Sequence, residues 1–174
     1  MTTTLKTILN LSIVANVQQE NASGQSTISP LGFSLPELIL RSGIGYTEAD
    51  LAGQIDDTIA AASNADIDLV GGFTDGLGNA VAFAKIKMVL FVNKSTSQIL
   101  QLKPAASNGW TGMLADASDK LNIGKAANAN VPGMNLWWAP QGVAVTGGTG
   151  DLVNLINPAG STAAYSIFVL GTSS

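Results

Sequence analysis

The chain of 174 residues contains neither cysteine nor histidine. The first absence excludes disulfides, thiolate metal centres and cysteine nucleophiles. The second removes the imidazole of Ser-His-Asp and Cys-His catalysis, the usual zinc sites, and the side chain best suited to proton transfer near neutral pH. Carboxylates and lysines remain, and they are sparse: charged residues make up 11% of the chain, 8 basic against 12 acidic, for a formal charge of −4. That balance gives no basic field to gather phosphate backbones, so nucleic acid is not expected as a partner. Long apolar runs are missing too. No stretch reaches the roughly 18 apolar residues of a membrane span, so no membrane partner is expected. "MTTTLKTILNLSIVANV", interrupted by Thr7, Asn10, Ser12 and Asn16, reads as a poor secretion signal. The chain therefore reads as soluble.

What is abundant is small and neutral: Ala, Gly, Ser, Thr and Asn. The length suits one compact core, with room for an extended arm. Leu5, Thr7, Leu9, Leu11, Ile13, Ala15 and Val17 fall at every second position and predict a first strand or an extended arm. "QQENASGQSTISPLGFSLPELILRSGIG" carries two prolines and four glycines and reads as a connection. Within it "LPELILRS" fits one helical turn, with Pro36 at its first position and Gly43 ending it.

From Tyr46 onward, short apolar runs alternate with clusters of Gly, Asn, Asp and Ser, the spacing of an antiparallel β-sandwich or barrel. The expected organisation is an N-terminal strand or arm with its connection over 1–46, and an all-β, antiparallel, jelly-roll-like sandwich over 47–174. In "AKIKMVLFVNKS", Ile86, Met88, Leu90 and Val92 share one face, opposite Lys85, Lys87, Val89 and Phe91. With Leu100, Leu102, Ile167 and Val169, the first set is expected to build much of the core, so that Leu90→Asp would prevent folding. "NLWWAP" sets Leu136 and Trp138 opposite Trp137 and is expected to stop at Pro140. "AAYSIFVLG" puts Tyr165, Ile167 and Val169 on one side and Ser166, Phe168 and Leu170 on the other.

"VAVTGGTGDLVNLIN" offers the nearest approach to a nucleotide site. A phosphate loop needs glycines leading into a helix whose amides face the anion. Seven residues separate Gly150 from Pro158, "DLVNLIN" alternates like a strand, no Gly-Lys-Ser/Thr ending follows, and Asp151 stands where the phosphate should be. The loop is expected to be a hairpin turn, with Gly147, Gly148 and Gly150 supplying positive φ.

The other candidates carry less chemistry. Asp56, Asp57, Asp66, Asp68 and Asp75 make a calcium site conceivable, yet the loop spacing and its terminal glutamate are missing, so solvated turns are favoured. Asp116 with Asp119, or Asp56 with Asp57, would serve glycoside hydrolysis only at a spatial separation that sequence does not fix. Trp110, Trp137 and Trp138 could stack on sugars. Successive tryptophans on a strand point oppositely, so one of the last two is expected inside and the other at solvent, a ligand or a neighbour. "NAS" at Asn21 and "NKS" at Asn93 match the glycosylation tripeptide.

Taken in order, "DLVGGFTDGLGN", "FAKIKMVLFVNKS", "PGM", "WWAP", "TGGTGDL" and the closing "YSIFVLGTS" resemble small virion structural proteins of tailed bacteriophages, over roughly residues 47 to 172. The resemblance implies a non-enzymatic β-sandwich present in many copies on the head, or in related fibres and spikes. It implies a virion location, self-association as a homotrimer or lattice, and contact with the major capsid protein or other virion proteins. It carries no catalytic residue, metal or cofactor. A neutral surface suits repeated packing, and an extended arm can add to a neighbour's sheet edge. The competing expectation is a carbohydrate- or receptor-binding module of a fibre or spike. Its mark would be exposed Trp137 or Trp138 beside polar groups in a concavity.

Overall fold

Alternation at every second position predicts strands, and the computed structural model, which describes residues 5, 7–9, 12–20, 26–34, 38–158 and 160–174, contains strands and no helix among them. They are β1 (Thr7–Leu9), β2 (Ser12–Glu20), β3 (Ser26–Ser34), β4 (Leu38–Leu40), β5 (Leu51–Ile59), β6 (Ser63–Asp68) and β7 (Phe73–Thr74). There follow β8 (Ala80–Val81), β9 (Lys85–Asn93), β10 (Leu100–Pro104), β11 (Leu121–Ile123), β12 (Gly133–Ala144), β13 (Leu152–Asn157) and β14 (Ala163–Thr172).

Two antiparallel sheets form the body: a six-stranded one in the order β12-β9-β14-β5-β7-β8 and a four-stranded one in the order β11-β10-β13-β6. The pairing is nested, because β5 pairs with β14, β6 with β13, β9 with β12 and β10 with β11. Inward residues of both sheets meet in one core, with Val89, Phe91, Ile167 and Val169 from the large sheet against Leu100, Leu102, Val153 and Leu155 from the small one. Each is almost fully withdrawn from water, which is the main stabilising term for such a body. The closing strand keeps the faces expected of it: Tyr165, Ile167 and Val169 lie in this core and Leu170 in a second cluster on the other side.

The alternation in β9 breaks at Lys87. Both neighbouring strands skip this residue: Trp138 and Val143 of β12 pair with Met88 and Ile86, as do Leu170 and Gly171 of β14. One extra residue inverts the phase of a strand. Ile86 therefore faces the core before the bulge and Val89 and Phe91 after it, while Met88 belongs to the outer cluster and Leu90 and Val92 are half-buried on the outer face. The expectation that Met88, Leu90 and Val92 build the inter-sheet core is corrected by this bulge.

Four other readings change. β12 runs through Pro140, because it is an edge strand and residues 139–142 bulge out of register between Trp138 and Val143. The glycine loop joins β12 of the large sheet to β13 of the small one, so it is a corner between sheets rather than a hairpin. Ser26–Ser34, read as a connection, is a strand paired with β2, where Pro30 is tolerated because each strand of a two-stranded ribbon is an edge. Leu38–Leu40, read as part of a helical turn, pairs as β4 with β1, and residues 35–37 of that turn lie outside the described residues.

Among the described residues of the first forty, β1 pairs with β4, here the ribbon base, and β2 pairs with β3, which lie between them in sequence and form the ribbon itself. The base is anchored: Leu40 and Ala49 are buried against Met88 and Leu170, with Leu5, Ala52, Trp138 and Phe168 packed around them.

Candidate functional site

Over β12, β9 and β14 the large sheet is apolar on both faces, and its outer face there is covered only in part. Three stretches remote in sequence bring that face together, with Met134, Leu136 and Trp138 of β12 directly opposite Val92, Leu90 and Met88 of β9. These in turn stand opposite Ser166, Phe168 and Leu170 of β14. The ribbon base covers the Met88–Leu170 end. Towards the other end Met134 is 63% exposed and Leu136 42%, on the edge strand of the sheet. The patch is bordered by a polar corner, where the Asp56 carboxylate accepts hydrogen bonds from Lys94 Nζ at 2.6 Å and from the Ser166 hydroxyl. Two apolar faces on one sheet exceed what a two-layer sandwich can bury by itself.

Lys87 fixes the loop that seals the covered end. Expelled from the ladder by the bulge, this fully buried side chain donates its ammonium to Gly45 O and to Glu48 O at 2.7 Å. The loop closes on itself through Arg41 N to Thr47 O at 3.0 Å, Ala49 N to Arg41 O at 2.8 Å, and the Glu48 carboxylate accepting from Gly45 N at 2.7 Å. Burial pulls the Lys87 ammonium below its ordinary 10.5, against the upward pull of Glu48 and Asp50.

In the glycine loop, the amides that a phosphate would use are taken. Gly148 N donates to Asp151 Oδ2 at 2.8 Å, and Thr149 N and Gly150 N both donate to Thr146 O, at 3.1 and 2.9 Å. Of the three glycines expected at positive φ only Gly148 adopts it, at 76°; Gly147 and Gly150 do not. A strand follows, and the buried Asp151 carboxylate sits inside the turn.

The aspartates are spread over separate turns. Asp75 accepts from Leu77 N and Asn79 N, both at 2.8 Å, Asp68 from Val70 N at 2.7 Å, and Asp116 from Ser118 N at 2.8 Å. No group of three or more potential metal ligands occurs among the described residues. Chelator is therefore expected to leave the melting temperature unchanged; a fall of many degrees would show that these turns hold calcium. Hydrogen bonds hold Asp56 (Lys94, then Ser166), Asp75 (Asn79) and Asp116 (Ser118) below the ordinary 3.8. Lowered carboxyls contribute stability that is present at neutral pH and lost as pH falls through their folded values, so melting temperature should decline below 3.8.

Trp110 is buried, its Nε1 donating to Ala144 O at 2.9 Å, and it meets Trp137 edge to face with ring centres 5.6 Å apart. Trp137 packs against the inter-sheet core and Trp138 against the outer cluster, so both tryptophans of the pair are half-buried in packing. Asn93 is fully buried, its amide donating to Gln98 O, Ile123 O and Gly124 O, which leaves no room for a glycan. Asn21 lies outside the described residues.

The outer face of the small sheet is polar instead. A shallow cleft of about 400 Å³ there is lined by Asn64, Asp66, Lys103, Ser107, Asn154 and Ile156. Asn154 Nδ2 donates to Asp66 Oδ1 at 2.6 Å and Asn64 Oδ1 at 3.1 Å. The alternation of Asp66 and Asp68 with Ile67 and Leu69 already reads as a strand with a polar outer face, whereas the uncovered apolar face of the large sheet is not foreseen, because it is assembled from strands whose neighbours are set by the winding.

Comparison with protein-family models, with curated proteins and with solved structures finds no match to this chain.

Proposed function

We propose that this chain is a non-enzymatic structural subunit of a tailed-bacteriophage virion, a jelly-roll-like sandwich that decorates or cements the capsid in repeated copies. The observation that carries the reading is the large sheet with two apolar faces, one of them half-covered and bordered by an edge strand. Such a subunit reaches its full burial only beside a neighbour. Nested pairing of β5–β14, β6–β13, β9–β12 and β10–β11, wound over two sheets, supports the jelly-roll reading. A charge of −4 spread over 174 residues supports close packing of copies. Many weak contacts then act together as avidity.

The test is mass spectrometry and electron microscopy of purified particles from the source of the sequence. The protein is expected in stoichiometric, repeated density on the head. Its absence from particles overturns the reading.

A second reading, a saccharide-binding module of a fibre or spike, is favoured by one observation: the cleft of the small sheet, where Asp66, Asn154 and Lys103 stand side by side on adjacent strands. Density confined to a fibre tip, with glycan-array binding lost in Asp66→Ala, would select it.

A further inference from the structure

We propose that the outer face of the large sheet, around Met134, Leu136, Leu90, Val92 and Phe168, is the seat of the β2–β3 ribbon of a second copy of this chain. The inference rests on the reading of the chain as a repeated subunit, and it names the two surfaces that meet. The first is that uncovered face, with Met134 at 63% and Leu136 at 42% exposure.

The second is the ribbon. Among the described residues β2 and β3 pair only with each other. Their register sets Ile13 opposite Phe33, Ala15 opposite Leu31 and Val17 opposite Ser29, and directly opposed residues share a face. By sequence one face of the ribbon is therefore apolar over Ile13, Ala15, Val17, Leu31 and Phe33 and turns polar at Ser29, Gln19 and Thr27, while Asn16, Gln18 and Glu20 fall on the other face with Val14 and Ile28. A two-stranded ribbon is marginal on its own in water and needs a surface to cover that face.

Three features select the occupant. The seat continues an interface already in use, since the base of the same ribbon is buried on the adjoining part of this sheet face, and Trp138 and Phe168 border both. Neither surface opposes the other electrostatically: the five residues of the seat and the apolar residues of the ribbon carry no charge. The reach is sufficient, because the nine residues of β2 extend about 30 Å. That is longer than the step from Met134 to Trp138, so β2 can span the seat.

The lack of native cysteine makes the contact directly readable. Leu31→Cys and Leu136→Cys variants of the full chain are mixed and treated with a short thiol-to-thiol cross-linker. An inter-chain 31-to-136 link is expected in the mixture, identified by peptide mass spectrometry, and no such link when Asn122→Cys, on the small sheet, replaces Leu136→Cys. A 136-to-136 link alone, a 31-to-31 link alone, or no link would each overturn the proposal. A second measurement covers failures of chemistry: Met134→Asp with Leu136→Asp, both exposed positions, should shift light-scattering mass to the monomer with an unchanged circular dichroism spectrum. Persistence of the oligomer overturns the proposal. Particle content is scored separately. An intact inter-chain link without particle incorporation would sink the virion reading alone, and incorporation without the link would sink this seat alone.

Discussion

Val89→Asp is expected to leave no folded protein, whereas Leu90→Asp, one residue along the same strand, should yield a soluble sandwich with wild-type circular dichroism. The contrast follows from the bulge at Lys87. Val89 is 1% exposed between the sheets, in contact with a core that holds Phe91, Ile167 and Val169. Burying a carboxylate there without a partner costs several kcal/mol beyond the lost burial of the valine, about 2 kcal/mol. The sum rivals the roughly 5–15 kcal/mol by which a domain of this size is stable. Leu90 lies on the half-covered outer face, opposite Leu136 and Phe168, where a carboxylate can reach water. Its substitution should cost about 1 kcal/mol or less in folding, as surface changes do. Urea melts of the two variants decide the matter: a folded Val89→Asp protein, or an unfolded Leu90→Asp protein, would place the strand in the other phase.

That contrast also shows how far the sequence could be read. β14 alternates without interruption, so its inward residues Tyr165, Ile167 and Val169 follow from spacing alone. β9 looks equally regular, because "KIKMVLFV" is apolar on both sides of the bulge and an inserted residue leaves no gap in the pattern. The inversion is set by pairing with β12 and β14, which local sequence does not encode. β3 was obscured for the opposite reason. Pro30 and Gly32 are breakers in a central strand, yet neither is excluded from a ribbon that has two edges. The glycine loop was legible as a turn from its composition, but that it crosses between sheets depends on where β12 and β13 find partners. The exposed face around Leu136 is the hardest to foresee. Its residues come from 90–92, 134–138 and 166–170, each segment plausible as core by itself, and only the winding shows that one side is left uncovered.

Lys87→Ala is expected to lower stability by about 2–4 kcal/mol and the melting temperature by roughly 10 °C, and to free the loop at 41–50. The side chain is fully buried, and its loss leaves a cavity under the loop, takes the lysine donor from Glu48 O, and leaves Gly45 O with only Glu48 N at 3.2 Å. Lys87→Met keeps the stem and fills most of the cavity, so it should cost less and retain the packing of Leu40 and Ala49 on Met88 and Leu170. The pair also separates the charge from the packing. Burial lowers the folded value of Lys87 below 10.5, so between that value and 10.5 the unfolded chain binds more protons than the folded one. Stability from this group therefore rises with pH through that interval and is complete above 10.5. The neutral amine keeps donors enough for both carbonyls. Tyr165 works in the opposite sense, since burial raises its hydroxyl above 10.0 and stability falls as pH rises past that value, but it does so equally in both proteins. Subtracting the Lys87→Met melt from the wild type at each pH removes the tyrosine, and the difference should grow in favour of the wild type towards 10.5. A difference that is flat with pH would mean that the ammonium is solvated and that the loop is held by its own hydrogen bonds alone.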